Sequence, residues 1–283
     1  MLVTLNEVLK DARKNKYGVG LFNTVNLEMA KGVLAAAEET KSPVIIGTAE
    51  IFLPQSSLEE LAYFLIPMAK KATVPVVLHF DHGLTEENIM KALNLGFSSV
   101  MYDCSTDPYD VNVQKVAAMV KAAKIFGATV EGELGHVGAN SADAAESHGD
   151  NDDSIYTEPE QAKDFVEKTD VDALAVAIGT AHGAYKSKPK LDINRLKIIS
   201  ETVDVPLVLH GGSGLTDDDF KNCVHNGISK INIFTDINCA CAKSVVDNYQ
   251  DGLGMTDVML EMIDAVKRET IKKMNIFGSP NHG

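Results

Sequence analysis

Residues 78–83 read Leu78-His79-Phe80-Asp81-His82-Gly83, and Val74, Val76 and Val77 lead into them around Pro75. An apolar run of this kind is a buried strand, and it stops on an acid, a histidine and a glycine. Packing explains that ending poorly. A buried carboxylate costs several kcal/mol unless a partner or a metal offsets it. Two further strand-like runs meet a His-Gly pair where they finish. One runs into Gly179-Thr180-Ala181-His182-Gly183 and the other into His210-Gly211. The expectation is that the three ends converge on one metal.

Working outward, runs of the same kind recur at 18–22, 43–48, 75–80, 98–102, 128–133, 173–178, 206–210 and 230–234. Each is nearly continuous in hydrophobicity, as parallel strands covered by helices are. Helical patterns lie between them at 26–40, 58–71, 86–95, 111–126, 158–168, 193–202 and 217–226. The first carries Leu27, Ala30, Val33, Leu34 and Ala37 on one face. Thr85 and Thr216 sit at N-cap positions, and Gly96 and Gly227 just past helix ends. The residues 238–276 are helical as well. These alternating units predict a (β/α)8 TIM barrel, one domain over 1–283, with extra C-terminal helices. A doubly wound open sheet has the same periodicity and is the alternative. The irregular stretch 138–157, rich in Asn, Asp, Ser, Ala and Gly, is expected to be a mobile active-site loop.

The chain of 283 residues is 45% apolar and 23% charged, with a net charge of −14. That composition is globular, and its sign disfavours nucleic-acid and anionic-membrane surfaces. The four cysteines show no framework spacing, so reduced thiols and a cytoplasmic location are expected. No signal peptide and no membrane-length apolar run is visible.

In a barrel, function sits where strands end. His82, His182 and His210 are three of the chain's eight histidines at matching topological positions. Imidazole ligands suit Zn2+, and also Co2+ or Mn2+, with a coordination position left open for substrate. Each could instead be a strand-end hydrogen bonder. His79 reads as structural, His136 as a loop or substrate contact, and His148, His225 and His282 as surface residues. The turn Gly211-Gly212-Ser213-Gly214 after strand seven, with Asn232 and Thr235 after strand eight, stands where barrels hold a phosphate. Lys186 could add a charge there or remain solvated. A Lewis acid beside a phosphate cradle and a free carboxylate points to making or breaking a C–C bond in a ketose phosphate. Asp81 is assigned the proton transfer; orienting His82 is its other reading.

The residues that carry this chemistry also carry a resemblance. Phe22-Asn23, His79-Phe80-Asp81-His82, Ser99-Val100-Met101-Tyr102-Asp103, Glu131-Gly132-Glu133-Leu134-Gly135, Ala175 to Gly183, Leu209 to Ser213 and Asn232 to Asp236 resemble the class II, metal-dependent ketose-bisphosphate aldolases of the fructose and tagatose type. The resemblance runs from Leu5 to about Ser279. It implies a (β/α)8 barrel, a homodimer or homotetramer, and a phosphorylated ketose as the small-molecule partner. His82, His182 and His210 would hold one catalytic Zn2+, and Asp81 would be proton donor and acceptor to a zinc-stabilised enediolate. Asn23, Gly183, Gly211, Gly212, Ser213, Asn232, Ile233, Phe234 and Thr235 would bind dihydroxyacetone phosphate, with a monovalent cation near its phosphate. Asp103 and Glu133 match a second, weaker metal site. Three departures touch the aldehyde half of the substrate. Gly138-Ala139-Asn140-Ser141 lacks the usual loop acid, which Asp143 or Glu146 replaces or which is absent. Ala49 stands where relatives place Ser or Thr, and the C-terminus lacks an arginine found in tagatose-type relatives.

Rival readings leave their own traces. A Schiff-base aldolase needs a lysine in the mouth, and Lys230 opens strand eight at the wrong end. A metal-dependent barrel hydrolase needs a His-x-His on strand one, which 18–23 lacks. An aldolase-like non-catalytic subunit, or an aldolase for a non-bisphosphate sugar-acid phosphate, is the alternative function.

Overall fold

The computed structural model describes residues 1–137, 156–182 and 189–283. Eight parallel strands close into a ring: β1 (Val19–Asn23), β2 (Val44–Ala49), β3 (Val76–Gly83), β4 (Ser99–Tyr102), β5 (Thr129–Leu134), β6 (Ala173–Val176), β7 (Leu207–Leu209) and β8 (Ile228–Ile233). Each pairs with the next, and β8 returns to β1 with Val19 opposite Lys230 and Phe22 opposite Ile233. This is the (β/α)8 barrel, not an open doubly wound sheet. Helices 27–40, 58–71, 86–95, 109–125, 159–169, 193–202 and 217–225 ring the outside.

Two helical features depart from the sequence expectation. Helix Leu5–Asn15 precedes β1, and its signal is present in the chain. The Glu7 carboxylate accepts from the Thr4 N–H at 2.7 Å, and Leu5, Val8, Leu9 and Ala12 recur on one buried face. That face plugs the barrel floor against Val19, Leu21, Ile45, Val77, Ala173 and Val208. The C-terminal stretch is two helices, Thr235–Asn248 and Met255–Phe277, parted by a turn in which Gly252 takes φ 94°. The second ends with Phe277 buried and its carbonyl accepting from Gly18 N–H at 2.8 Å.

Side chains alternate along every strand, so residues two apart share the barrel interior. Lower down those positions are mostly apolar, with Thr129 Oγ1 accepting from the Leu5 N–H. Toward the C-terminal ends they become polar: His79 and Asp81 on β3, Glu131 and Glu133 on β5, Lys230 and Asn232 on β8, all buried. Lys230 Nζ lies 2.8 Å from Glu131 Oε2 and donates to Asn232 Oδ1 at 2.8 Å. Removing one member of a buried ion pair leaves an uncompensated charge. Lys230→Met is expected to lower folding stability by about 3–5 kcal/mol, read as a lowered urea midpoint. A midpoint within experimental error of wild type would contradict the pairing. No helix among the described residues is long and apolar enough to cross a membrane.

Candidate active site

Strict alternation would turn His82 away from the side Asp81 faces. The chain avoids this with a register shift between Phe80 and Gly83 on β3 and a left-handed His82 at φ 42°. A bulge re-aims one side chain, and a non-glycine residue in that region stores about 1–3 kcal/mol of strain. Both neighbours therefore reach one cavity of about 480 Å³ at the C-terminal mouth. A second cavity, lined by Arg13, Lys197 and His225, contains none of the three histidines.

His82, His182 and His210 converge, each offering a ring nitrogen within 4.8 Å of the others. Their partners fix which nitrogen faces inward. His82 Nδ1 meets Asp103 Oδ2 at 2.8 Å, and His210 Nε2 meets Glu131 Oε1 at 2.8 Å. With each carboxylate taking an N–H, His82 Nε2 and His210 Nδ1 are left with lone pairs, 2.7 Å apart. At that separation a proton bridges the two nitrogens as N–H···N, and an ion held by both rings would take that proton's place. Carboxylate-oriented imidazoles with converging lone pairs fit a zinc site. The electrostatics favour positive charge at this point, carried by the His82 ring itself when no ion is bound. Burial opposes a charge on His82, yet Asp81, Asp103 and Glu133 raise its pKa to about 9. Burial and the neighbouring His82 and His210 push His182 down to about 3.

Asp81 is buried and held from two sides. Its Oδ2 accepts from Asn23 Nδ2 at 2.7 Å, and Asn232 Nδ2 donates to Oδ1 and Oδ2 at 3.0 and 3.1 Å. Burial alone would raise its pKa, but His82, His79, Lys230 and His210 hold it well below the usual carboxylate range. The orienting partner of His82 is Asp103, so Asp81 is not needed for that task. Asp103 in turn accepts from Ser105 Oγ at 2.8 Å. Such outer partners are worth about 10–100-fold in metal affinity. Asp103→Ala is expected to weaken zinc binding by that factor in a chelator competition, and an unchanged affinity would remove it from the role.

His82, Asp103 and Glu133 form another convergent set, with burial and Asp103 raising Glu133 to about 8. The turn after β7 lies across the cavity. Gly211, Gly212, Ser213, Asn232, Ile233, Phe234 and Thr235 all line it, as does Asn23. Gly211 takes φ 65°, and a Cβ there would meet the Ala181 carbonyl oxygen at 2.4 Å. The turn therefore packs backbone against backbone. Helix Thr235–Asn248 begins at the cavity wall, so its free N–H groups add an anion-favouring end.

His79 is buried with Nδ1 2.7 Å from Ser99 Oγ, the structural place expected of it. His136 lines the cavity, 3.2 Å from Ser105 Oγ. His225 is exposed, and His282 stacks on Tyr17 with centroids 3.9 Å apart. Gly183, Lys186, His148, Asp143 and Glu146 lie outside the described residues. Glu131 is absent from the expected site, and Lys230 does not open β8 at its far end as expected: the strand begins at Ile228 and the Lys230 ammonium lies in the polar interior layer beside Glu131 and Asn232. Their signal is the spacing of two that places them below Glu133 and Asn232.

Residues 3–282 match the family model described as fructose-bisphosphate aldolase class-II. A protein of Escherichia coli (strain K12) carrying the name "Uncharacterized protein YdjI" is 40% identical over 279 residues, 99% of this chain and 98% of that protein. The fructose-bisphosphate aldolase of Thermus caldophilus is 39% identical over 305 residues, covering 99% of both chains. The X-ray crystal structure of the YdjI aldolase from Escherichia coli K12 superposes with a TM-score of 0.87 at 36% identity, over 100% of this chain and 99% of that one. Barrel, site and relatives together define an aldehyde-lyase acting on phosphorylated sugars. The chain belongs to the class II fructose-bisphosphate aldolase family, whose members are generally zinc-dependent.

Proposed function

We propose that this chain, acting as a single barrel domain, reversibly cleaves a ketose 1-phosphate or 1,6-bisphosphate of the fructose or tagatose type. The products are dihydroxyacetone phosphate and an aldehyde such as glyceraldehyde 3-phosphate. One observation carries the reading: an ionised Asp81 shares a cavity with His82, His182 and the glycine-rich turn after β7, and the buried His210 converges on those two histidines.

His82, His182 and His210 would hold the Zn2+, which when bound supplies a Lewis acid for the ketose carbonyl. Gly211, Gly212 and Ser213, with Thr235 at its helix start, hold the phosphate through N–H groups and small hydroxyls. Asn232, Ile233 and Phe234 complete that wall, and a monovalent cation beside the phosphate offsets its charge. Asn23 and Asn232 fix the Asp81 carboxylate against the hydroxyl next to the scissile bond. Asp81 takes that proton as the C–C bond breaks, and the aldehyde leaves. The electron pair stays on the dihydroxyacetone phosphate half, which a second acid protonates. In condensation Asp81 returns its proton to the new hydroxyl. Gly183 belongs to the same phosphate set by sequence. Asp103 and Glu133 with His82 would take a second, weaker metal.

The test is a panel: fructose- and tagatose-1,6-bisphosphate and their 1-phosphates, with dihydroxyacetone phosphate release followed by a coupled reductase. Release from at least one is expected. Metal-loaded protein that releases none from any of the four would sink the reading. A homodimer or homotetramer is part of the proposal, supported by exposed Val246 and Leu260 on the last two helices. Sedimentation as a monomer at micromolar concentration would refute it.

A further inference from the structure

The cavity has two unlike ends. Gly211 to Ser213 and Thr235 make one end rich in N–H and hydroxyl donors. Leu84 follows β3, four strands round the ring from β7, and with Ala49, Ile51 and Phe52 after β2 it makes an apolar wall. Ile51 and Leu84 are 64% and 53% exposed, so among the described residues none covers these apolar side chains. Phe52 packs against Phe234 with centroids 4.2 Å apart, which ties this wall to the phosphate end. Among the described residues lining the cavity there is no lysine and no arginine.

Nor is the wall a loose edge. Glu50 sits between Ala49 and Ile51, and its carboxylate reaches across to helix Glu86–Leu95. Its Oε2 accepts from the N–H groups of Leu84 and Thr85 at 2.7 and 3.1 Å. Its Oε1 accepts from Thr85 Oγ1 and Asn88 Nδ2 at 2.9 and 2.8 Å. A helix N-terminus beside a cavity is where a second phosphate would bind. Here that end is filled by the protein's own carboxylate, and Glu86 and Glu87 follow it. A phosphate brought to this wall would meet like charge and apolar surface in place of donors.

We propose that the aldehyde half taken by this site carries no phosphate: the Ala49–Ile51–Phe52–Leu84 wall accepts a short neutral aldehyde with an apolar tail, and Glu50 turns an anionic one away. The inference rests on the aldolase reading and narrows its substrates to ketose 1-phosphates. It makes Glu50 and Leu84 specificity residues, not catalytic ones.

The experiment uses zinc-loaded full-length protein in the condensation direction. Dihydroxyacetone phosphate is offered with lactaldehyde, glyceraldehyde or glyceraldehyde 3-phosphate. The kcat/KM for the better neutral aldehyde should exceed that for glyceraldehyde 3-phosphate by about 10-fold or more, since like-charge contact opposes the phosphate. Raising salt from about 0.05 to about 0.5 M should narrow that ratio by screening the repulsion. Leu84→Lys, at an exposed position, and Glu50→Gln should each shift the ratio toward the phosphorylated aldehyde. A wild-type ratio at or below one overturns the proposal, and so does a ratio that neither variant moves. Solvent exchange of the dihydroxyacetone phosphate C–H, measured without aldehyde, separates the two levels. Exchange with glyceraldehyde 3-phosphate preferred defeats this inference and leaves the aldolase reading standing. No exchange and no condensation with any aldehyde defeats both.

Discussion

Asp81→Ala is expected to lower kcat for dihydroxyacetone phosphate release by about 10²- to 10⁴-fold, the range a positioned proton-transfer group contributes. Metal content should remain near wild type. The reason lies in the division of labour at the end of β3. His82 receives its orientation from Asp103 at 2.8 Å and its inward aim from the backbone at φ 42°, and neither depends on the Asp81 side chain. What the substitution removes is the ionised acceptor that Asn23 and Asn232 clamp. Asp81→Asn separates chemistry from shape, because it keeps the volume and loses the base. It should be about as inactive as Asp81→Ala and fold at least as well. Turnover and bound metal measured on the same preparations check this. A variant that kept most of its turnover would end the proton-transfer assignment. A variant that lost its metal would return Asp81 to a supporting role.

His210→Ala should lose both metal and turnover. It deletes one of three converging nitrogens, the one whose lone pair faces His82 Nε2 at 2.7 Å. Changes to outer partners cost about 10–100-fold in metal affinity, so deleting a ligand should cost more than about 100-fold. The chain should still fold. Glu131 loses one hydrogen bond but keeps Lys230 at 2.8 Å, so its buried charge stays compensated. Metal content, turnover and a thermal melt then give a distinct pattern: metal and activity gone, fold retained. Retention of stoichiometric metal would mean that the three histidines do not share an ion.

The two predictions rest on residues that were unequally legible in the sequence. The barrel was readable because each strand is an apolar run and several of the following helices carry caps, as at Thr85 with Gly96. The three histidines were readable because His82 and His210 stand where strands run out and His182 lies in the loop that β6 runs into. Asp81 was readable because a buried acid demands a reason. The spacing of two in His79 and Asp81, Glu131 and Glu133, Lys230 and Asn232 marks a further polar layer. Alternation alone places those pairs in one interior layer, but their pairing depends on which strands are neighbours. Lys230 meets Glu131 only because the sheet closes and β8 and β5 face each other across the interior. The bulge at His82 has no sequence mark, since nothing in Phe80-Asp81-His82-Gly83 separates it from a regular strand end. Helix Leu5–Asn15 was marked by Thr4 and Glu7, and the break at 249–254 by its two glycines. Both are short-range signals that a reading centred on strand ends passes over.

The central claim is that three histidines at the barrel mouth hold one ion on which C–C cleavage depends. Its most direct test is to titrate metal-stripped protein with zinc, following bound metal and dihydroxyacetone phosphate release together. The release assay uses whichever panel ketose phosphate is turned over fastest. The account predicts activity that rises in proportion to bound zinc and saturates at about one ion per chain held by the His82, His182 and His210 set. Full activity in the stripped protein, or zinc bound at that stoichiometry with no release from any of the panel substrates, would contradict it.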